Sequence, residues 1–273
     1  MTVCEQKISG FSLVELSIVL VILGLLTGGV LTGQSLIQAA ELRSVSADYG
    51  RWMAATQTFR DKYLALPGDM RNATAFWGAL DSGDGIGSDC RANAPSIATC
   101  NGDGDGLLEW HSVSATLTYE PFLFWHHLAN AGLIEGKYTG SPASYGGNTI
   151  CSPNTTHWVA GCNVPASKIR GQAFWSAAYI GTIAAGHSFL PPGEYGNTLV
   201  LGMPRGFADS FMEYAMNGEQ LWNVDVKMDD GLPFTGQLVA SRAVICVTGY
   251  GLNNEYDVRD PSLHCTPVFK NVF

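Results

Sequence analysis

Two hydrophobic patterns are laid end to end at the start of the chain. From Phe11 to Gly33 the only charge is Glu15. This run of about 23 residues suffices to cross a hydrocarbon layer of about 30 Å as a helix. After Gly33 the pattern turns amphipathic. Val45, Tyr49, Trp52, Thr56, Phe59 and Tyr63 recur at spacings of four and three, which is one face of a helix. Arg43, Asp48, Arg51, Arg60 and Asp61 fall mostly on other faces. Pro67-Gly68 stops the pattern. Together the runs predict one helix over 11–64, roughly 80 Å long. Its aromatic stripe is expected to pack against a globular head.

Shorter elements follow. EPFLFWHHLANAGLI, 120–134, predicts a helix with Pro121 in its first turn and Gly132 at its end. Strands are expected at 172–180, 197–203, 222–228 and 242–248, separated by turns rich in Pro, Gly and Asp. Residues 79–118 and 136–170 read as loop. The fold class is therefore α+β: a long membrane-spanning N-terminal helix packed on a head with an antiparallel sheet and large disulfide-stapled loops. The expected organisation is a polar lead at 1–10, an apolar half-helix at 11–33, an amphipathic half at 34–66 and a head at 67–273.

Charge narrows the partners. The chain of 273 residues carries a formal net charge of −9 and no basic tract, so no nucleic-acid partner is expected. Cysteine usage points to the compartment. Cys4 precedes the apolar run, and six cysteines follow it as local pairs: Cys90 with Cys100, Cys151 with Cys162, Cys246 with Cys265. No C-x-x-C spacing occurs, and an even set beyond a membrane segment suits disulfides in an oxidising compartment. Unpaired or metal-binding thiols are the other reading.

Three readings compete for the first 33 residues. A secretory signal should have a shorter apolar core and an A-x-A site, which are missing here. A plain signal anchor explains the length but not Glu15, since a charge costs about 2.5–3.5 kcal/mol at a membrane helix centre. The third reading rests on G-F-S-L-V-E-L, Gly10 to Leu16. This pattern resembles the N-terminal signal of type IV pilins and type II secretion pseudopilins. The resemblance implies that a prepilin peptidase cuts between Gly10 and Phe11 and methylates the new amine. The leader MTVCEQKISG would leave with Cys4, and Glu15 would become an assembly residue. In a stack of subunits Glu15 would pair with the Phe11 amine of a neighbour and set the register. LPGD at 66–69, the 120–138 segment and WNVDVKMDDGLPFTG at 222–236 also resemble large prepilin-like chains. Gly24 with Gly28, and Gly29 with Gly33, form G-x-x-x-G spacings that let membrane helices approach closely. The family often has a Pro further along this helix, but the first Pro here is Pro67.

The resemblance implies a filament-forming subunit and no enzyme. Its expected partners are other pilin or pseudopilin subunits, the prepilin peptidase and an inner-membrane assembly platform. Its expected location is the inner membrane, single-pass with the head in the periplasm, and then a periplasmic or cell-surface filament. Two alternatives stand beside it: a minor pilin with a tip adhesin head, and a signal-anchored extracytoplasmic enzyme. No G-x-S-x-G, H-E-x-x-H, P-loop or dinucleotide fingerprint occurs. Calcium is the expected cofactor. Asn101, Asp103 and Asp105 alternate before Gly106, like the front of an EF-hand loop, and Glu109 follows. The twelfth position is Ser112, not Glu. Asp81, Asp84 and Asp89 add nearby carboxylates. A weaker candidate is Asp229 and Asp230, with Asp225 upstream and Asp257 or Asp260 downstream. Polar turns without metal are the plain reading of both. His126 and His127 are adjacent on the 120–134 helix and point apart, so they make no zinc site by themselves.

Overall fold

The computed structural model describes residues 12–80, 96–113, 116–142, 151, 158–169, 172–185, 187, 189–204, 213–241, 246–248 and 255–273. Contacts divide the chain into two units, Met1–Glu41 and Leu42–Phe273. Helix α1, Leu13–Tyr63, runs through the division without a break. The expected helix and its end before Pro67 are thereby observed, and Leu64 leaves it with φ +54°.

In the first unit α1 keeps no apolar side chain covered. Leu13, Val14, Leu16, Ile18 and Leu25 are among a continuous series that stays exposed as far as Ile37. The helix is long and apolar enough to cross a membrane.

In the second unit the amphipathic half of α1 enters a core. Val45, Trp52, Thr56 and Phe59 are buried. Tyr49 and Tyr63 of the same stripe are half-buried. Trp52 meets Trp125 edge-on at 5.2 Å, and Tyr49 stacks on Phe269 at 4.5 Å. Helix α2, Ala73–Trp77, caps the end of this contact, with Trp77 at 6.2 Å from Phe59. Helix α3, Glu120–Asn130, has every residue from Glu120 to Leu128 buried. A helix apolar nearly all round belongs inside, and the run Pro121 to Trp125 is of that kind. Pro121 stands in its first turn and Gly132 follows its end with φ +71°, as expected from the sequence.

The main sheet is antiparallel. Strands β3 (Phe174–Tyr179), β6 (Asn197–Gly202), β7 (Leu238–Ser241) and β8 (Thr266–Phe269) lie in the order β3-β6-β8-β7. Phe174 faces Gly202 across β3 and β6, and Val200 faces Val268 across β6 and β8. Side chains alternate between faces. Leu199, Leu201 and Phe269 join the main core with α1 and α3, whereas Val200, Val239 and Val268 pack under Leu190 and Tyr195. A hairpin of β1 (Trp110–Val113) and β2 (Thr116–Tyr119) leads into α3. The pair β4 (Thr182–Ile183) and β5 (Gly193–Glu194) is short.

Several expectations change. Residues 222–228 are not a strand but lie in helix α4, Gly218–Met228. Asn217 and Gln220 close a capping box at its start, with Asn217 Oδ1 accepting from the Gln220 amide at 2.9 Å and Gln220 Oε1 from the Asn217 amide at 3.1 Å. That cap outweighs the polar/apolar alternation of 222–228. The strand expected at 242–248 is not observed among the described residues, and β7 ends before it, at Ser241. Residues 242–245 lie outside the described residues, and Val247 makes only an isolated bridge to Tyr256. The β1–β2 hairpin lies in a stretch expected to be loop, and β8 was not expected. Cys151–Cys162 and Cys246–Cys265 are bonded, with Cα separations of 5.5 Å and 5.1 Å. Cys100 is also disulfide-bonded. Its expected partner Cys90 lies outside the described residues, as does Cys4.

Candidate functional site: the apolar helix and the acidic groups of the head

Gly10 and Phe11 lie outside the described residues, and the first residue after them already organises the helix. Ser12 precedes α1, and its Oγ accepts from the Val14 amide at 3.3 Å. Glu15 Oε2 accepts from the Ser12 amide at 2.9 Å. Only half of a capping box, S-x-x-E, is formed, because Ser12 Oγ takes the Val14 amide and not that of Glu15, but the two bonds satisfy two of the amides that a helix start leaves open. The sequence carried this signal at Ser12 and Glu15, and the reading of Glu15 as an assembly residue passed over it.

The remaining hydroxyls of the apolar run turn inward. Ser17 donates to Val14 O, Thr27 to Leu23 O, and Thr32 to Gly28 O, each at 2.9 Å. A helix in hydrocarbon must satisfy its polar groups internally, and these residues do so. The glycines are different. A Cβ placed at Gly24, Gly28, Gly29 or Gly33 would meet nothing within 4 Å. Nothing among the described residues therefore calls for a small residue at these four positions.

A family model described as the prokaryotic N-terminal methylation motif matches residues 6–31. The chain carries the type IV pilin and pseudopilin signal. No curated protein and no solved structure matches the chain. The pilin-type segment is thus the part of the molecule that comparison identifies, and the head must be read from its own geometry.

In the head the expected calcium residues bond to different partners. Asn101 Oδ1 accepts from the Thr74 amide at 2.9 Å, and Asp105 Oδ1 from the Leu107 amide at 2.8 Å. Asp103 instead joins Asp69 and Glu120, with carboxylate oxygens of the three within 4.8 Å of one another. Asp69 and Glu120 were not singled out from the sequence. They come from the α1–α2 loop and the first turn of α3, so nothing in their spacing tied them to 101–109. Glu120 accepts from the amides of Asp103 at 3.2 Å and Glu109 at 3.0 Å. Asp69 accepts from the amides of Gly104 and Gly106. The loop therefore winds around two carboxylates of the protein itself. Burial pushes Glu120 up to about 8 and Asp69 up to about 6, against the pull of those amides. Asp81, Asp84 and Asp89 lie outside the described residues.

The second acidic group is Asp225, Asp229 and Asp230, again with oxygens within 4.8 Å of one another. The other residues weighed with it go elsewhere. Asp257 accepts from the Arg259 amide at 3.1 Å, and Asp260 faces His264 at 3.6 Å. His127 is buried, and its Nδ1 accepts from the Gly68 amide at 2.9 Å while Nε2 meets Thr99 Oγ1 at 2.9 Å. Burial lowers it to about 3, so it is a neutral clasp between α3 and the Pro67-Gly68 turn.

Proposed function

We propose that this chain is a filament-forming pilin or pseudopilin subunit with a structural and not a catalytic role. A prepilin peptidase cuts it between Gly10 and Phe11 and methylates the new amine. The inner membrane holds the mature chain by its apolar helix, with the head in the periplasm. An assembly platform then adds it to a periplasmic or cell-surface filament through the helix from Phe11 to Leu42.

The observation that supports this most is the methylation motif over residues 6–31. It coincides with the start of a helix whose large apolar side chains are exposed from Leu13 to Ile37. Such a surface needs lipid or neighbouring helices. Glu15 has a double role in this reading: it caps its own helix, and in the filament it pairs with the Phe11 amine of a neighbour.

Intact mass and N-terminal sequence of the protein from its native membrane test the proposal. A chain beginning at methylated Phe11 is expected. A chain beginning at Met1 would be an ordinary anchored protein and would overturn it.

A further inference from the structure

The acidic group at the carboxyl end of α4 is unbalanced in a way that a packed head does not require. Asp225 has no solvent exposure. Its Oδ2 accepts from the Tyr256 hydroxyl at 2.8 Å. Its Oδ1 is buried with no hydrogen-bond partner. The Gly231 amide is near enough to favour the charged form, yet it makes no well-formed bond to that oxygen. A buried polar atom without a partner costs free energy, and a carboxylate costs more.

Its surroundings deepen the imbalance. Asp229 and Asp230 bring two further carboxylates within 4.8 Å. The end of a helix is the negative pole of its dipole and favours cations. The only basic residue of that turn, Lys227, is exposed. Ion pairs among the described residues are found elsewhere, for example at Arg51–Asp48, Arg259–Asp257 and His264–Asp260. Burial, with Asp230 and Asp229 nearby, pushes Asp225 up to about 7.

The two exposed carboxylates are already oriented. Asp229 Oδ2 accepts from the amides of Gln237 and Leu238 at 2.5 and 2.8 Å. Asp230 accepts from the Leu232 amide at 2.8 Å and from Thr235 Oγ1 at 2.5 Å. Asp229 Oδ2 is filled by its two amides, whereas both oxygens of Asp230 retain a lone pair for a further partner. Gly236, at φ +66°, leaves the space that the Asp229 carboxylate occupies.

We propose that Asp225, Asp229 and Asp230 form a divalent-cation site of the calcium type, in which the ion supplies the missing partner of Asp225 Oδ1. The donors are oxygens only, which selects a hard cation. The bound ion ties the end of α4 to the loop that enters β7. Through Asp225 and Tyr256 it also reaches the segment bounded by Cys246 and Cys265.

The test uses the full chain in detergent, stripped with chelator and titrated with calcium chloride alone, with magnesium chloride as a second arm. Heat of binding and melting temperature are read together. The wild type is expected to bind calcium and melt higher with it, and magnesium to raise the melt less. Asp225→Asn is expected to bind at least about tenfold more weakly and to lose the shift. Asp230→Asn keeps the buried Asp225–Tyr256 bond and carries the test if Asp225→Asn does not fold. Asp103→Asn, in the other acidic group, should respond like the wild type. No calcium response in the wild type, or an undiminished response in both Asp225→Asn and Asp230→Asn, overturns the proposal. Loss of the response in Asp103→Asn alone places the ion at the other group and overturns it too.

Discussion

A carboxylate in the first turn of a helix faces the positive end of the backbone dipole, and Glu15 stands there with its oxygen on the Ser12 amide. Two roles can be separated by substitution. Glu15→Gln keeps a side-chain oxygen for the cap and removes the charge. Both Glu15→Gln and Glu15→Ala are expected to be processed normally and to enter filaments poorly, read by immunoblot of sheared filaments. Normal incorporation of the Gln variant would mean that the cap, and not the charge, is what assembly needs. Glu120 gives a second residue-scale prediction. Its folded pKa, about 8, lies above the ordinary 4.5. The folded state therefore keeps a proton that the unfolded chain releases, and stability falls as pH rises through that window. Asp69 and Asp225 act in the same direction. His127 acts oppositely, because the unfolded chain takes up its proton below about 6.5 while the buried ring stays neutral to about 3. Between pH 6.5 and 8 the carboxylates dominate. Melting temperature should fall across that interval without added cation, and Glu120→Gln should flatten the fall. An equally steep fall in the variant would remove Glu120 from the account.

Elements differ in how openly the sequence declares them. Helix α1 was readable because its stripe, from Val45 to Phe59, repeats for several turns and ends at a Pro-Gly. Phe59 is buried against α2 and α3. Phe59→Ala should cost about 3–5 kcal/mol in a denaturant melt of the head. A loss under about 1 kcal/mol would mean that the stripe is not core. Helix α4 was misread because Trp222 to Met228 alternates polar and apolar residues, while its cap, Asn217 with Gln220, lies upstream. Asn217→Ala should cost about 1 kcal/mol, and no change would mean that tertiary packing alone holds that helix. Strand β8 is four residues long and contains Pro267, which lacks a donor and argues against a strand interior. Pairing with β6 begins beyond it, at Val268 and Phe269.

Over the whole molecule, the legible parts are those with local grammar: the methylation motif, the apolar run, the neighbouring cysteine pairs. The acidic groups are assembled by tertiary contact, so Asp69 and Glu120 could not be found by spacing. A sign was still present, since Glu120 opens a helix whose next five residues are apolar or aromatic. The Cys246–Cys265 link closes the carboxyl-terminal segment, and replacing both cysteines with serine should destabilise the head by about 2–5 kcal/mol. An unchanged melt would show that β8 holds that segment unaided. The inward-turned hydroxyls of the apolar helix carry one more consequence. A rod whose Ser17, Thr27 and Thr32 are spent on its own backbone offers its surroundings contour, the one side-chain charge of Glu15, and few hydrogen bonds to negotiate. Choice of company then becomes a matter of fit, and grafting this rod onto a different head should transfer that choice with it.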